Sequence, residues 1–405
     1  MDPVLGVGLI MLVGFLGGRI ASRFGLPSLT GYIVFGLFLG PYGAGLISID
    51  LIEAIKDPLS VAAVSIIAFM LGGDLTISAI KSLGSKLLKV AGIDTIWTYI
   101  LVFLGPYYLA GQPVYIALPL AALATSPAPT VVVPVVKELK ARGKFTDSLL
   151  MVSALEDITC VIFISISIAI SRPLIAGGDV SLQSVLISLA EIGGSALFGA
   201  ALGFATVYLF RLVSSGQPRL LLVLTMILVG AGLTSLINFS ALITILTMGF
   251  VVLNFAQETE TLFASVEEVA SPVLLLFFTV AGATLQPGLI PAAGIAVAVY
   301  IGVRIVSKMS GVYASTRWFN MDQGTCRYLP RCLLSQAGTT IGLTMLVAQQ
   351  LPEVSSQILT VMLSAVIFFE IIAPPLTRSA LIQLGEAECS PAAKYNEALS
   401  EKQSG

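Results

Sequence analysis

Apolar residues run along this chain in long blocks, broken by short polar stretches. A helix that crosses a bilayer needs about 20 mostly apolar residues, and fewer where it is interrupted. On that ruler the chain divides into about thirteen spans, near 3–20, 27–43, 58–73, 87–110, 114–137, 146–171, 182–213, 219–236, 239–256, 262–286, 289–318, 329–351 and 355–384. The first has an acidic start and leads straight into further apolar blocks, so it reads as a span and not as a cleaved signal peptide. Residues 385–405 are polar and read as a short frayed tail.

The loops give the orientation, because Lys and Arg collect on the cytoplasmic side. An outside N-terminus puts Arg19, Arg23, Lys81, Lys86, Lys89, Lys137, Lys140, Arg142, Lys144, Arg211, Arg219, Arg317, Arg327 and Arg331 inside, with Arg378, Lys394 and Lys402 at the tail. Only Lys56 and Arg172 fall outside. Such a bias fits an odd number of spans in the plasma (inner) membrane, with a cytoplasmic C-terminus.

Composition agrees: 56% of the residues are hydrophobic and 11% charged, where a soluble domain carries about a quarter charged. This predicts an all-α polytopic membrane protein. The net charge of −2 offers nothing to nucleic acid. Histidine is absent, so any pH response falls to carboxylates, lysines or thiols. Cys160, Cys326, Cys332 and Cys389 show no metal-ligand spacing and no disulfide framework. No cofactor is implied.

Against this background Glu156-Asp157 stands out. Two adjacent acids sit within the apolar run from Ser148 to Ile170, and an intramembrane acid marks a functional site by default. Two other spans carry helix-breaking sequence. The fifth reads Ala124-Thr125-Ser126-Pro127-Ala128-Pro129-Thr130, with Pro134 beyond it, and the twelfth reads Ser335-Gln336-Ala337-Gly338-Thr339-Thr340. Unwound backbone at membrane depth survives only where it is buried in protein or lines a cavity. Paired interruptions in two halves point to a transporter's binding site. These are seven spans apart, an odd offset, which implies an inverted-topology repeat with two crossed, broken helices.

Depth sharpens the picture. At about 1.5 Å per residue, Glu156 and Thr339 lie about 14 Å, and Pro127 and Lys308 about 15 Å, from the inner ends of their spans. Arg304 is one turn further out, on the face of Lys308. A buried carboxylate is pulled between desolvation and a neighbouring cation, which suits an acid that holds a proton or a metal ion in turn. The carboxylates, with freed carbonyls and hydroxyls of Thr125, Ser126, Thr130 and Thr339, supply the oxygen ligands that hard cations need. The natural partner of Lys308 is Glu156 or Asp157. The acids are therefore expected to carry a monovalent cation and protons in exchange.

At these residues the chain resembles the cation:proton antiporter superfamily, in particular the bacterial sodium/proton antiporters of its second branch. The likeness runs over nearly the whole chain. It includes Gly25-Leu26-Pro27-Ser28-Leu29-Thr30-Gly31-Tyr32 with Gly36 and Gly40-Pro41, the unwound stretch 124–130, Leu155-Glu156-Asp157-Ile158, Lys308-Met309-Ser310-Gly311, and Phe369-Glu370-Ile371-Ile372-Ala373-Pro374-Pro375-Leu376. The resemblance implies a homodimer in lipid, with a rigid core (about 58–171 and 262–384) moving against a dimerisation domain (about 1–57 and 182–256). It implies that Asp157 binds the cation (Na+, with Li+ or K+ as variants) or the proton, and that Glu156 salt-bridges to Lys308. The family's usual pair is Asp-Asp, or Asn-Asp in electroneutral members; Glu-Asp keeps two charges and favours electrogenic exchange. The function expected is transport, not enzyme catalysis.

Other features are weaker. Glu370 lies where the repeat places a counterpart of the acid pair, and is expected either to modulate the site or to pair with Arg304. Asp94 is expected to snorkel from the inner end of its span, and Glu191 to sit at a helix interface. Ser195, Gly199 and Gly203, like Gly14 and Gly18, are spaced for close packing or a dimer contact. The acids 258, 260, 267 and 268 read as a solvated inner surface. The alternative function is a sodium-coupled organic-anion symporter of related fold. An intramembrane aspartyl protease fails because Asp74 lacks the required glycine spacing and a matching second aspartate.

Overall fold

Each apolar block becomes helix, since in lipid every backbone N–H and C=O must find its partner within the chain. The computed structural model describes residues 2–23, 28–73, 76–77, 84–178, 182–214, 216–237, 239–284, 290–336 and 338–387. In order the helices are α1 (Pro3–Arg23), α2 (Ser28–Leu39), α3 (Ile49–Gly72), α4 (Gly84–Leu109), α5 (Val114–Thr125), α6 (Pro129–Glu138), α7 (Lys144–Ile175), α8 (Leu182–Leu209), α9 (Gln217–Leu236), α10 (Ala241–Phe255), α11 (Thr259–Ala283), α12 (Ile290–Trp318), α13 (Gln323–Cys332), α14 (Gly338–Gln350) and α15 (Ser355–Gln383). No strand occurs among the described residues.

Nine of these helices are long and apolar enough to cross a membrane alone. The rest of the expected spans are the short α2 and α10 and two broken pairs, α5–α6 and α13–α14. The order matches the thirteen blocks. Gly25, Leu26, Pro27, Asp74, Lys81, Ala337, Cys389 and the tail beyond residue 387 lie outside the described residues. Among the boundaries that differ, α4 begins at Gly84, not 87, α13 at Gln323, not 329, and α3 at Ile49, not 58, because Leu51 and Ile52 bury themselves against Ile10, Leu39 and Ile47 despite the charges between.

Packing sorts the helices into two groups. One joins α4–α7 to α12–α15; the other joins α1–α3 to α8–α11. Backbone contact at glycine stitches the second group. A Cβ on Gly72 of α3 would strike the Leu246 carbonyl of α10, and one on Gly249 would strike the Phe69 carbonyl in return. Gly36 of α2 and Gly282 of α11 meet Thr279 and Ile33 in the same reciprocal way. The two reciprocal contacts are counterparts under the inverted repeat. Gly199 and Gly203 of α8 likewise pack on α10, and Gly14 and Gly18 on α11 and α2, so these stripes serve contacts within the chain.

Candidate functional site

The broken helices α5–α6 and α13–α14 cross at their breaks. The Ala128 N–H donates to the Ser335 carbonyl at 3.0 Å, and the Gln336 amide donates to the Leu123 carbonyl and the Tyr300 hydroxyl, each at 3.1 Å. A helix leaves its last carbonyls without partners and carries partial negative charge at that end. Here the C-terminal ends of α5 and α13 are brought together inside the protein, so cations must answer them. Both come from α12, one turn apart.

Arg304 is fully buried at the crossing. Its guanidinium donates to the carbonyls of Leu334 at 2.7 Å, Ala124 at 3.0 Å, Ser126 at 3.2 Å and Ser335 at 3.3 Å. The Phe369 ring lies beneath it, 4.5 Å to the centroid. Lys308 is equally buried, and its ammonium donates to Asp94 Oδ2 at 2.6 Å, Glu156 Oε2 at 2.8 Å and the Thr125 carbonyl at 3.0 Å.

The two acids of α7 face different neighbours, because successive residues on a helix point about 100° apart. Glu156 turns to α12 and α4, while Asp157 turns to the break, where the Ser126 hydroxyl donates to its Oδ1. Both are buried. Cys160, one turn on, donates its thiol to the Ala122 carbonyl, and the Thr159 and Thr95 hydroxyls meet at 3.2 Å to tie α7 to α4.

Three expectations need correction. Asp94 does not snorkel: it is fully buried and ion-paired to Lys308. The helix begins at Gly84, which sets Asp94 about 15 Å deep, level with the other charges. Glu370 does not meet Arg304, whose donors go to carbonyls and whose face is covered by Phe369. Instead the Thr30 hydroxyl of α2 donates to Glu370 Oε2, joining the two groups of helices. The freed carbonyls of the first break are also not left open: Thr125 serves Lys308, and Ser126 serves Arg304. The Thr125 hydroxyl turns back to Ala122 at 2.7 Å.

Pro127 lies in the break and Gly338 opens α14. Pro129 and Thr130 open α6, but their side chains lie outside the described set. Thr339 and Thr340 are buried, with hydroxyls that have no hydrogen-bond partner among the described residues. Glu191 borders a cavity of about 570 Å³ between the two helix groups, along with Ser65, Arg172, Thr234, Ser240 and Gln349. The cavity's lining on α7 begins at Ser165, about 12 Å beyond Asp157.

The sequence also missed Glu386. Its carboxylate accepts from the N–H groups of Phe145 and Thr146 at 2.9 and 2.8 Å, capping the helix that carries both acids. Nothing but contact across the fold reveals a cap from 240 residues away.

Residues 8–383 match the family described as "Sodium/hydrogen exchanger, transmembrane". No match is found among curated protein sequences. Among solved structures the fold is similar to that of the sodium proton antiporter MjNhaP1 from Methanocaldococcus jannaschii at pH 8, at 16% identity and a TM-score of 0.76, covering 94% of this chain and 99% of that one. An electron-microscopy structure of the same antiporter gives 14% identity and a TM-score of 0.72, with 95% and 98% covered.

Proposed function

The chain belongs to the sodium/hydrogen exchanger family, and we propose that it is an electrogenic antiporter that exchanges Na+ for protons at Asp157 by alternating access. Li+ and K+ are the competing cargoes. Family membership supports cation/proton antiport in a multi-pass membrane protein. The finer reading rests chiefly on one observation: Asp157 is buried beside the break in α5–α6, with the Ser126 hydroxyl donating to one of its carboxylate oxygens. A cation arriving there meets a carboxylate, and a proton arriving there neutralises it. The two compete for one group.

In this reading α4–α7 and α12–α15 form the moving unit, and α1–α3 with α8–α11 form the scaffold through which two copies associate. Residues 58–73 and 262–286 thereby pass from the core of the sequence-based division to the scaffold, following the helices they pack on. Protein and lipid together seal the site. The N-terminus lies outside and the C-terminus in the cytoplasm of a plasma-membrane protein. Arg304 and Lys308 hold the crossing of the broken helices, so the unit moves as a rigid body around the acid.

The test is exchange in proteoliposomes. Adding Na+, Li+ or K+ outside, with pH equal on the two sides, should drive the cation in and protons out and so alkalinise the lumen, and Asp157→Asn should abolish the response. Equal exchange by that variant removes the site assignment. Uptake of a labelled organic anion with Na+, and no proton movement, would favour the symporter instead.

A further inference from the structure

Two helix groups that move against one another must break some of the contacts between them in every cycle. One such contact is polar and buried. The Thr30 hydroxyl of α2 donates to Glu370 Oε2 of α15, and both residues are buried. The two helices hardly meet otherwise, since α2 packs on α1 and α11, and α15 on α12, α13, α14 and the broken α5–α6. The bond is made by side chains that reach across the boundary, not by a packed face.

Each partner is fixed to its own group. Gly31, next to Thr30, meets Gly17 of α1 backbone to backbone: a Cβ on either would lie 2.2 or 2.7 Å from the other's carbonyl oxygen. Thr30 therefore cannot follow α15 without prising α2 from α1. On the other side Phe369, next to Glu370, lies beneath the Arg304 guanidinium. Ala373, one turn on, packs against Ala128 and Val131 of the break. Glu370 is thus tied to the crossing of the broken helices, and a shift of one group along the other parts hydroxyl from carboxyl. Glu370 Oε1 is buried and has no hydrogen-bond partner among the described residues, so the carboxyl leans on the Thr30 donor. A buried acceptor that loses its donor is penalised until another replaces it. That penalty favours the arrangement in this structure over one in which the two residues are apart.

We propose that Thr30 and Glu370 are positioning residues of the exchange cycle, whose hydrogen bond latches the moving unit to the scaffold in the arrangement seen here and breaks when the unit moves. This rests on the alternating-access reading above. The latch sets the balance between two arrangements, not the affinity of either for the cation.

The experiment reads that balance by single-molecule fluorescence energy transfer in nanodiscs, with and without Na+. Dyes sit on Arg327→Cys of α13 and Glu260→Cys of α11, both exposed, one on each helix group. Cys389 is replaced by serine, while Cys160, Cys326 and Cys332 are buried and leave the dyes to the introduced thiols. Labelled chains are diluted into unlabelled ones. Thr30→Val keeps the shape and loses the hydroxyl, so the ratio of this arrangement to the other should fall about fivefold, the worth of one buried hydrogen bond. Thr30→Ser keeps the hydroxyl and should stay within about twofold of the parent. In a Glu370→Met background the T30V change should move the ratio by less than about twofold, because no carboxyl remains to lose its donor. A mere packing role would lower the melting temperature and leave the ratio alone. A T30V ratio equal to the parent's overturns the latch, as does a T30V shift that persists in E370M. Should E370M fail to fold, T30S decides, and a ratio that moves as far as that of T30V overturns the latch. A parent with one transfer efficiency under both conditions would instead overturn alternating access itself, and the latch with it.

Discussion

Arg304→Met is the perturbation with the largest structural consequence. The guanidinium holds four carbonyls at 2.7–3.3 Å, two from each broken helix, and stacks on Phe369. Each buried acceptor left without a donor costs about 1–3 kcal/mol. The lost ring contact adds about 0.5–2 kcal/mol. Against this stand relief of the arginine's own desolvation and entry of water, so a net loss of about 3–5 kcal/mol is expected, as for a buried charge network missing one partner. For a long chain, at about 2 °C per kcal/mol, that lowers the melting temperature by roughly 6–10 °C. The assay is thermal unfolding in one detergent at a fixed scan rate, since membrane proteins seldom unfold reversibly. Arg304→Lys, with three donors in place of five, should recover about half of the loss. If R304M melts within about 2 °C of the parent, the carbonyls do not depend on Arg304, and the account of the crossing is wrong.

Ser126→Ala removes the hydroxyl on Asp157 and should weaken apparent Na+ affinity by about tenfold, the worth of one hydrogen bond to a charged group, with the melting temperature little changed. Unaltered affinity would mean that the serine plays no part in the site. Gly249→Val drives a side chain into the Phe69 carbonyl and should cost about 1–3 kcal/mol in thermal unfolding, without moving the pH profile of exchange. Asp322 caps α13: burial pushes its carboxyl up, but the Thr325 N–H and hydroxyl, both at 2.7 Å, outweigh that and hold it below its ordinary value. A depressed value stabilises the fold above the unfolded value and is lost as pH falls through the folded one. Asp322→Ala should therefore cost about 1 kcal/mol at neutral pH, and the gap to the parent should close below about pH 3.9.

Much of this fold is legible in the sequence because lipid imposes a simple rule, helix or nothing, on every apolar block. The breaks at Ser126–Ala128 and around Ser335 are legible for the converse reason. Proline and glycine at membrane depth interrupt the helical ladder, and only a break buried in protein tolerates the backbone groups this frees. What the sequence hides is pairing across the fold. A span counted from residue 87 leaves Asp94 near the inner surface, whereas the helix starts at Gly84 and carries it deeper. Glu370 and Arg304 suggest a pair because both are charges within apolar spans, yet they turn to different neighbours. Neither difference concerns chemistry. The first concerns depth and the second direction, and a helix face is fixed by neighbours that lie about 200 residues away in the chain.

The central claim is that one buried carboxylate holds a cation or a proton and never both. Its most direct test is the Na+ concentration for half-maximal exchange, measured across pH with the membrane potential clamped. Competition predicts that on the acidic side this concentration rises at least about tenfold per pH unit, while the maximal rate at saturating Na+ is unchanged. A half-saturating concentration that stays constant as pH falls would show that proton and cation bind at separate groups.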